Sequence, residues 1–272
     1  MIGRRIEIPQ AGDYRVPLDL YIPEVSPEID DSIRRPAVIV CPGGAYRFLS
    51  HRESEPVALD YAAQGFNTFV VWYRVAPNRW PIPQFDAAAA VAWVRAHAEE
   101  LHTDPNRIAL LGFSAGAHCA CRVAACWQDA EMWRPIGLSP EEVRPNALIL
   151  GYPVITGGEE AHRESFQNLT GLEDVSEHEK YSLERRISPL MPPVFIWHTW
   201  QDELVPVDNS LILASALRKQ GILTELHIYP YGRHGSSICR PESSGIVKPY
   251  LNLKDSQDWV RLSRRFLQRL WN

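Results

Sequence analysis

Three residues of complementary type follow three apolar runs. Ser114 lies in "LLGFSAGAH", Asp202 in "IWHTWQDELVP" and His234 in "IYPYGRHGSS". A serine hydroxyl alone is a weak nucleophile. A histidine that takes its proton, itself oriented by a carboxylate, makes it able to attack a carbonyl carbon and carry an acyl group. Gly112-Phe113-Ser114-Ala115-Gly116 matches G-x-S-x-G. Chance supplies about 0.06 such matches in a chain of this composition, so a lone match is weak when many sequences are scanned. Context adds the weight. An apolar run precedes the serine and a helical pattern follows it, as a nucleophile elbow requires. The competing reading is an ordinary strand-to-helix loop.

With a serine on such an elbow, the acid and the base follow later in the chain, in that order. Asp202 comes just past the apolar run ending near His198, and His234 just past the final one, between Gly232 and Gly235. Glu203 and Asp208 are near enough in sequence to hold the acid's role instead, and the bland reading of His234 is a solvated loop histidine. His118, one turn beyond Ser114, reads as a packed structural residue. His51 follows a Pro-Gly-Gly loop and can reach the edge of the site, His198 ends the acid's own strand, and His162 and His178 belong to a polar stretch. No His/Asp/Glu set has metal-ligand spacing, so no metal or other cofactor is expected.

Acyl transfer also needs N–H donors for the tetrahedral oxyanion. The residue after the nucleophile, Ala115, supplies one. The loop "CPGGAY", with Gly43, Gly44 and Ala45 after a buried run, is placed to supply the other.

These residues need a scaffold that brings distant loops to one edge. "RIEIP" and "YRVPLDLYIP" read as two antiparallel edge strands. From about residue 37 short apolar runs alternate with helical patterns. "PAVIVCPGG", "NTFVVWYR", "RIALLGFS", "NALILGYP", "PPVFIWHT" and "LTELHIYP" read as strands. "SEPVALDYAAQG", "DAAAAVAWVRAHAEELH", "AGAHCACRVAACW", "NSLILASALRKQG" and "SQDWVRLSRRFLQRLW" read as helices, the second beginning at Asp86. The pattern predicts an α/β fold: a mostly parallel sheet of about eight strands with helices on both faces, ligands binding at the carboxyl ends of the strands. A polar, acidic stretch over about 153–190 has no clear strand and is expected to pass over that edge. The chain reads as a single domain spanning 1–272.

Composition narrows the function classes. The chain has 272 residues, 45% hydrophobic, with a formal net charge of −5 and no basic stripe, which argues against a nucleic-acid partner. "MIGRRIEIPQ" lacks a signal peptide's apolar core and no run approaches a membrane span, so no membrane partner and a cytoplasmic location are expected. Five cysteines without a C-x-x-C pair read as reduced thiols, Cys119 and Cys121 as core. The C-terminal amphipathic helix would tolerate a homodimer without demanding one.

Taken in order, "CPGGAY", "YRVAP", "FDAAAAVAWVRAHAEELHTDPNRIALLGFSAGAH", "YPVITGG" and "WHTWQDELVPVDNSLILASALRKQGILTELHIYPYGRHG" resemble the small carbohydrate-esterase and acetyl-esterase branch of the α/β-hydrolases. The likeness spans roughly residues 15 to 240. It implies an α/β-hydrolase fold with Ser114 as nucleophile, Asp202 as acid and His234 as base. It also implies Gly44, Ala45 and Ala115 as oxyanion donors, and hydrolysis of short acyl esters, acetyl on a carbohydrate such as a xylo-oligosaccharide. The loop departs from the family pattern in having Ala45 for its third glycine and Pro42 for the usual leading histidine, and "HGSSI" replaces the common apolar continuation after the base. Tyr46 is expected to wall the acyl pocket. Trp200, Trp80 and Trp133 offer flat faces to a sugar ring, with packing an equally good reading of each. The other readings are a peptidase of the same fold and a catalytically silent binding protein, which would usually lack a member of the triad; none is missing.

Overall fold

The computed structural model describes residues 2–10, 14–244 and 253–272. In chain order the elements are β1 (Ile2–Pro9), β2 (Arg15–Ile22), β3 (Arg35–Cys41), α1 (Glu55–Ala62), β4 (Asn67–Val71), α2 (Ile82–Ala96), β5 (Thr103–Phe113), α3 (Ser114–Cys126), two short turns α4 (Ala130–Trp133) and α5 (Pro140–Val143), β6 (Ala147–Gly151), α6 (Arg163–Thr170), β7 (Val194–Thr199), α7 (Asp208–Lys219), β8 (Thr224–Tyr229), α8 (Pro241–Ser244) and α9 (Lys254–Trp271). One eight-stranded sheet runs β1-β2-β4-β3-β5-β6-β7-β8. β1 pairs antiparallel with β2, and β2 with β4; the rest is parallel. Of that N-terminal pair, β2 therefore lies inside the sheet and β1 alone is at an edge, with β8 at the other, a correction to the expected pair of edges. Among the described residues no helix is long and apolar enough to cross a membrane.

The continuous apolar runs follow from burial on both faces. Side chains alternate across a strand. Val38, Val40, Ala109, Leu111 and Phe113 face a core with Val57 and Tyr61 of α1 and Trp259 and Phe266 of α9. Their neighbours Ile39, Cys41, Ile108 and Leu110 face the other core, with α2, α3 and Leu213 and Leu217 of α7. The apolar side of α9 is thus turned into the core.

Helix α2 begins at Ile82, four residues before the expected start, and ends at Ala96. Pro81 and Pro83 explain the early start: proline has its φ preset for a first turn, where its missing N–H costs nothing. Asp86 is consequently inside the helix and fully buried. Its carboxylate takes a bidentate pair from the Arg74 guanidinium (2.7 and 2.9 Å) and the Arg74 backbone N–H at 2.8 Å. It anchors the "YRVAP" segment instead of capping a helix. His102, expected near that helix's end, sits outside it at φ 49°.

The stretch over 153–190 contains no strand. It forms α6 and a 3-10 turn, Val175–Tyr181.

Candidate active site

β5 lies mid-sheet, its end in register with Cys41 of β3 and Gly151 of β6. Phe113 is still extended (φ −121°, ψ 137°); Ser114 then turns to φ 52° and starts α3. Such an angle is uncommon for any residue but glycine and holds only where the surroundings over-determine it. The flanking glycines supply that fit. A Cβ on Gly112 would meet the Gly116 carbonyl oxygen at 2.4 Å, and one on Gly116 would meet the Cys41 carbonyl oxygen at 2.2 Å. Strand, helix and neighbouring strand therefore close on the elbow without room for a methyl group. Ser114 is 4% exposed, at the positive end of α3.

The three predicted residues meet. His234 Nε2 lies 2.8 Å from Ser114 Oγ, and His234 Nδ1 lies 2.7 Å from Asp202 Oδ2. Asp202 cannot donate while ionised, so Nδ1 carries the proton and Nε2 accepts from the serine hydroxyl. Asp202 Oδ1 accepts the backbone N–H groups of Leu204 and Val205, each at 3.0 Å. Burial acts to raise the Asp202 carboxyl, but the hydrogen bonds from His198, His234 and the Val205 N–H outweigh it and hold it well below the usual carboxylate range. Glu203, the alternative acid, is exposed, and Asp208 lies in the first turn of α7.

His198 is a support that the sequence only hinted at. Its Nε2–H donates to the Val205 carbonyl at 3.0 Å and passes 3.3 Å from Asp202 Oδ2, while Ser210 Oγ donates to its Nδ1 at 2.8 Å. The signal was its place four residues before the acid. Thr199 Oγ1 donates to the Gly232 carbonyl at 2.9 Å, tying the acid's loop to the base's.

In the loop after β3, Gly43 N–H is already committed to the buried Glu53 Oε2 at 2.8 Å. Gly44 (φ 131°) and Ala45 (φ 55°) turn on past it, and among the described residues their N–H groups donate no hydrogen bond. The Ala115 N–H belongs to the first turn of α3, where a helix has no internal acceptor for it. Asn168 Nδ2 of α6 donates to the Ala45 carbonyl at 2.9 Å, and Arg47 pairs with Glu164 at 3.2 Å. The polar stretch thus grips the loop.

A cleft of about 200 Å³ opens over Ser114 and His234, lined by Gly44, Ala45, Arg47, Phe48, Arg52, Glu53, His162, Glu164 and Leu204 among others. Tyr46 is not in its wall. It is 1% exposed and turned behind the loop, its hydroxyl 2.9 Å from His118 Nδ1 and receiving Gln84 Nε2 at 3.2 Å. His118 Nε2–H donates to the Tyr181 carbonyl at 3.1 Å, so Tyr46 must donate to Nδ1. Burial, reinforced by the Arg122 charge, pushes the His118 ring down to about 3, leaving it neutral and structural. Trp200 stands outside the cleft at 64% exposed, Trp133 is fully buried, and Trp80 stacks edge-on to Tyr181. His51 packs on Trp72.

Pattern reading passed over His162. Its ring lies parallel to that of His234, centroids 6.5 Å apart, with Nδ1 2.8 Å from Ser165 Oγ. Burial, and then the nearby His234, lower its pKa. Glu53 and Tyr152 were missed too, since a lone acid in "HRESEP" and a tyrosine after a strand carry no periodic signal.

A family profile described as BD-FAE matches residues 18–217. An acetylxylan esterase of Xylanibacter ruminicola is 35% identical over 206 residues, covering 73% of this chain and 40% of that protein. An endo-1,4-beta-xylanase B of Butyrivibrio fibrisolvens is 33% identical over 220 residues, covering 78% of this chain and 34% of that protein. The chain therefore spans well under half the length of these curated relatives. The crystal structure of an acetyl ester-xyloside bifunctional hydrolase from Caldicellulosiruptor lactoaceticus superposes with a TM-score of 0.79 at 36% identity, covering 96% of this chain and 90% of that one. With the elbow, the later acid and base, and a profile running through most of the sheet, the chain belongs to the BD-FAE family of the α/β-hydrolases.

Proposed function

We propose that this chain is a serine carboxylesterase that removes a short acyl group, acetyl, from a sugar hydroxyl. The observation that carries the proposal is the unbroken relay from Ser114 Oγ through His234 to Asp202 at 2.8 and 2.7 Å, opening into a cleft lined by Gly44 and Ala45. Ser114 Oγ attacks the ester carbonyl carbon as its proton passes to His234 Nε2. Asp202 keeps Nδ1 protonated and stabilises the imidazolium. The N–H groups of Gly44, Ala45 and Ala115 receive the oxyanion. His234 then gives its proton to the departing sugar alkoxide, leaving acetyl on Ser114. Water, activated by the same imidazole, releases acetate and restores the serine.

The narrow cleft, with Phe48 and Leu204 as its apolar walls, suits a small acyl group. The acetylxylan esterase and the acetyl ester-xyloside hydrolase among its relatives support a sugar as the alcohol. The test is acetate release from acetylated xylo-oligosaccharides and monosaccharides. Ser114→Ala should lower kcat by at least about 10⁴-fold. A fluorophosphonate should label the native chain at Ser114. Turnover of amides equal to that of esters, or a folded chain that does not label, rejects the reading.

A further inference from the structure

The cleft holds a second carboxylate that the relay does not use. Glu53 closes the 3-10 turn His51–Glu53 and is 3% exposed. Both of its oxygens are engaged, in different directions. Oε2 accepts the Gly43 N–H at 2.8 Å, and Oε1 accepts the Tyr152 hydroxyl at 2.6 Å. Tyr152 Oη accepts the Ser237 N–H at 2.9 Å, and Ser237 Oγ donates to the Arg52 carbonyl at 2.6 Å, back beside Glu53. The circuit joins three loops: the oxyanion loop after β3, the turn after β6, and the loop that carries His234. The Tyr152 ring also packs edge-on against that of His234, centroids 4.9 Å apart.

Backbone strain collects on the same loops. Among the described non-glycine residues, positive φ occurs at Ala45, Tyr46, Ser114, Tyr152, Ser237, Cys239 and His102, and only His102 lies away from the site. Each such conformation costs on the order of 1 kcal/mol or more and persists only where neighbours enforce it. Gly43 is where the oxyanion loop meets both Glu53 and the nucleophile. A Cβ there would lie 2.7 Å from Glu53 Oε2 and 3.0 Å from Ser114 Cβ, so the bare peptide is wedged between carboxylate and nucleophile.

We propose that Glu53 is a positioning residue whose carboxylate holds the Gly44 and Ala45 donors and, through Tyr152 and Ser237, the His234 loop in one geometry about Ser114. This role rests on the ester-hydrolysis reading above. It requires a carboxylate, because two donors, an N–H and an O–H, converge on it from different loops. A glutamine can accept only one of them. Its amide N–H₂ would face the other, and because Tyr152 Oη already accepts Ser237, the phenolic hydrogen would be left buried without an acceptor. Glu53 does not act as a further base toward Ser114, since both oxygens are already taken.

The test compares the wild-type chain with Glu53→Gln, Tyr152→Phe and the double variant, reading kcat and KM on nitrophenyl acetate and the rate of fluorophosphonate labelling at Ser114. Glu53→Gln should lower kcat 10- to 100-fold (about 10–100) with KM within about threefold, and slow labelling in parallel, because both reactions need the oxyanion donors. Tyr152→Phe should lower kcat by a smaller factor, and the double variant should lose no more than Glu53→Gln alone, as one chain of contacts requires. Glu53→Gln that folds and keeps kcat within about twofold overturns the role. So do additive losses in the double variant. Should Glu53→Gln not fold, Tyr152→Phe decides by itself: unchanged kcat and labelling overturn the role. A wild-type chain with no ester turnover and no label would instead reject the esterase reading, which keeps the two failures apart.

Discussion

Ser114, His234 and Asp202 show how little a side chain's type says without its hydrogen bonds. His234 and His118 both lie near Ser114 in space, yet only His234 aims a ring nitrogen at the hydroxyl; His118 spends its own on Tyr46 and Tyr181. Asp202→Asn should retain the fold and lower kcat by about 10³–10⁴-fold, because the amide can present N–H to Nδ1 and favour the wrong tautomer; stopped-flow or steady-state kinetics on a nitrophenyl ester reads this. His118 has a different signature. Its folded-state pKa is held down to about 3, below the ordinary value near 6.5. Between those values the unfolded chain binds a proton that the folded chain does not, so stability falls as pH drops through that window. From pH 7.5 to 4.5 this one ring should cost about 2–3 kcal/mol in urea unfolding, and His118→Gln should lose that part of the slope. Asp202 acts lower. Its depressed pKa stabilises the fold above its unfolded value near 3.9, and that contribution is lost as pH falls further.

At the scale of elements, the strand-elbow-helix unit depends on backbone approach. Gly116→Ala should destabilise by about 3 kcal/mol or more, since the methyl group meets the Cys41 and Pro42 carbonyl oxygens and neither can swing aside. Gly137→Ala is the control. It also has positive φ, 68°, but open space around it, and should cost only about 1 kcal/mol. Denaturant midpoints of the two variants separate packing from conformational strain. The main strands and the helices α1, α3, α7 and α9 were legible from apolar period and length. The start of α2 was not. Asp86 has the chemistry of a first-turn residue, and nothing local reveals that Arg74, across a loop, claims its carboxylate. The polar stretch over 153–190 was legible only as an excursion; that Asn168 grips the Ala45 carbonyl needs a contact between distant segments.

At the scale of the molecule, the site stands where the ends of β3, β5, β6, β7 and β8 line one edge of a single sheet. The C-terminal helix supports that edge from behind. Trp259 is fully buried between Phe113 and Trp197, and its Nε1–H donates to the Ser237 carbonyl at 2.9 Å. Trp259→Ala should cost about 3–5 kcal/mol by the cavity it leaves. It should also lower kcat, because Ser237 belongs to the loop of His234; thermal melts and ester kinetics on the same preparation check both.

The sequence alone determined the α/β architecture, because apolar runs of strand length alternating with helical periods can be buried in few ways. It also marked Ser114, Asp202 and His234, because each follows a strand that must end on the same edge. Only the tertiary structure decided which neighbours serve them. Glu53, Tyr152, His162 and His198 take their meaning from partners far away in the chain or from loop geometry that no local pattern encodes. The same physics took Tyr46 out of the expected pocket wall and left Trp200, expected to offer a face to a sugar, outside the cleft. Where a loop side chain points is settled by the space around it: the left-handed turn at Ala45 and Tyr46 leaves Tyr46 packed behind the oxyanion loop, while Trp200 stands in solvent.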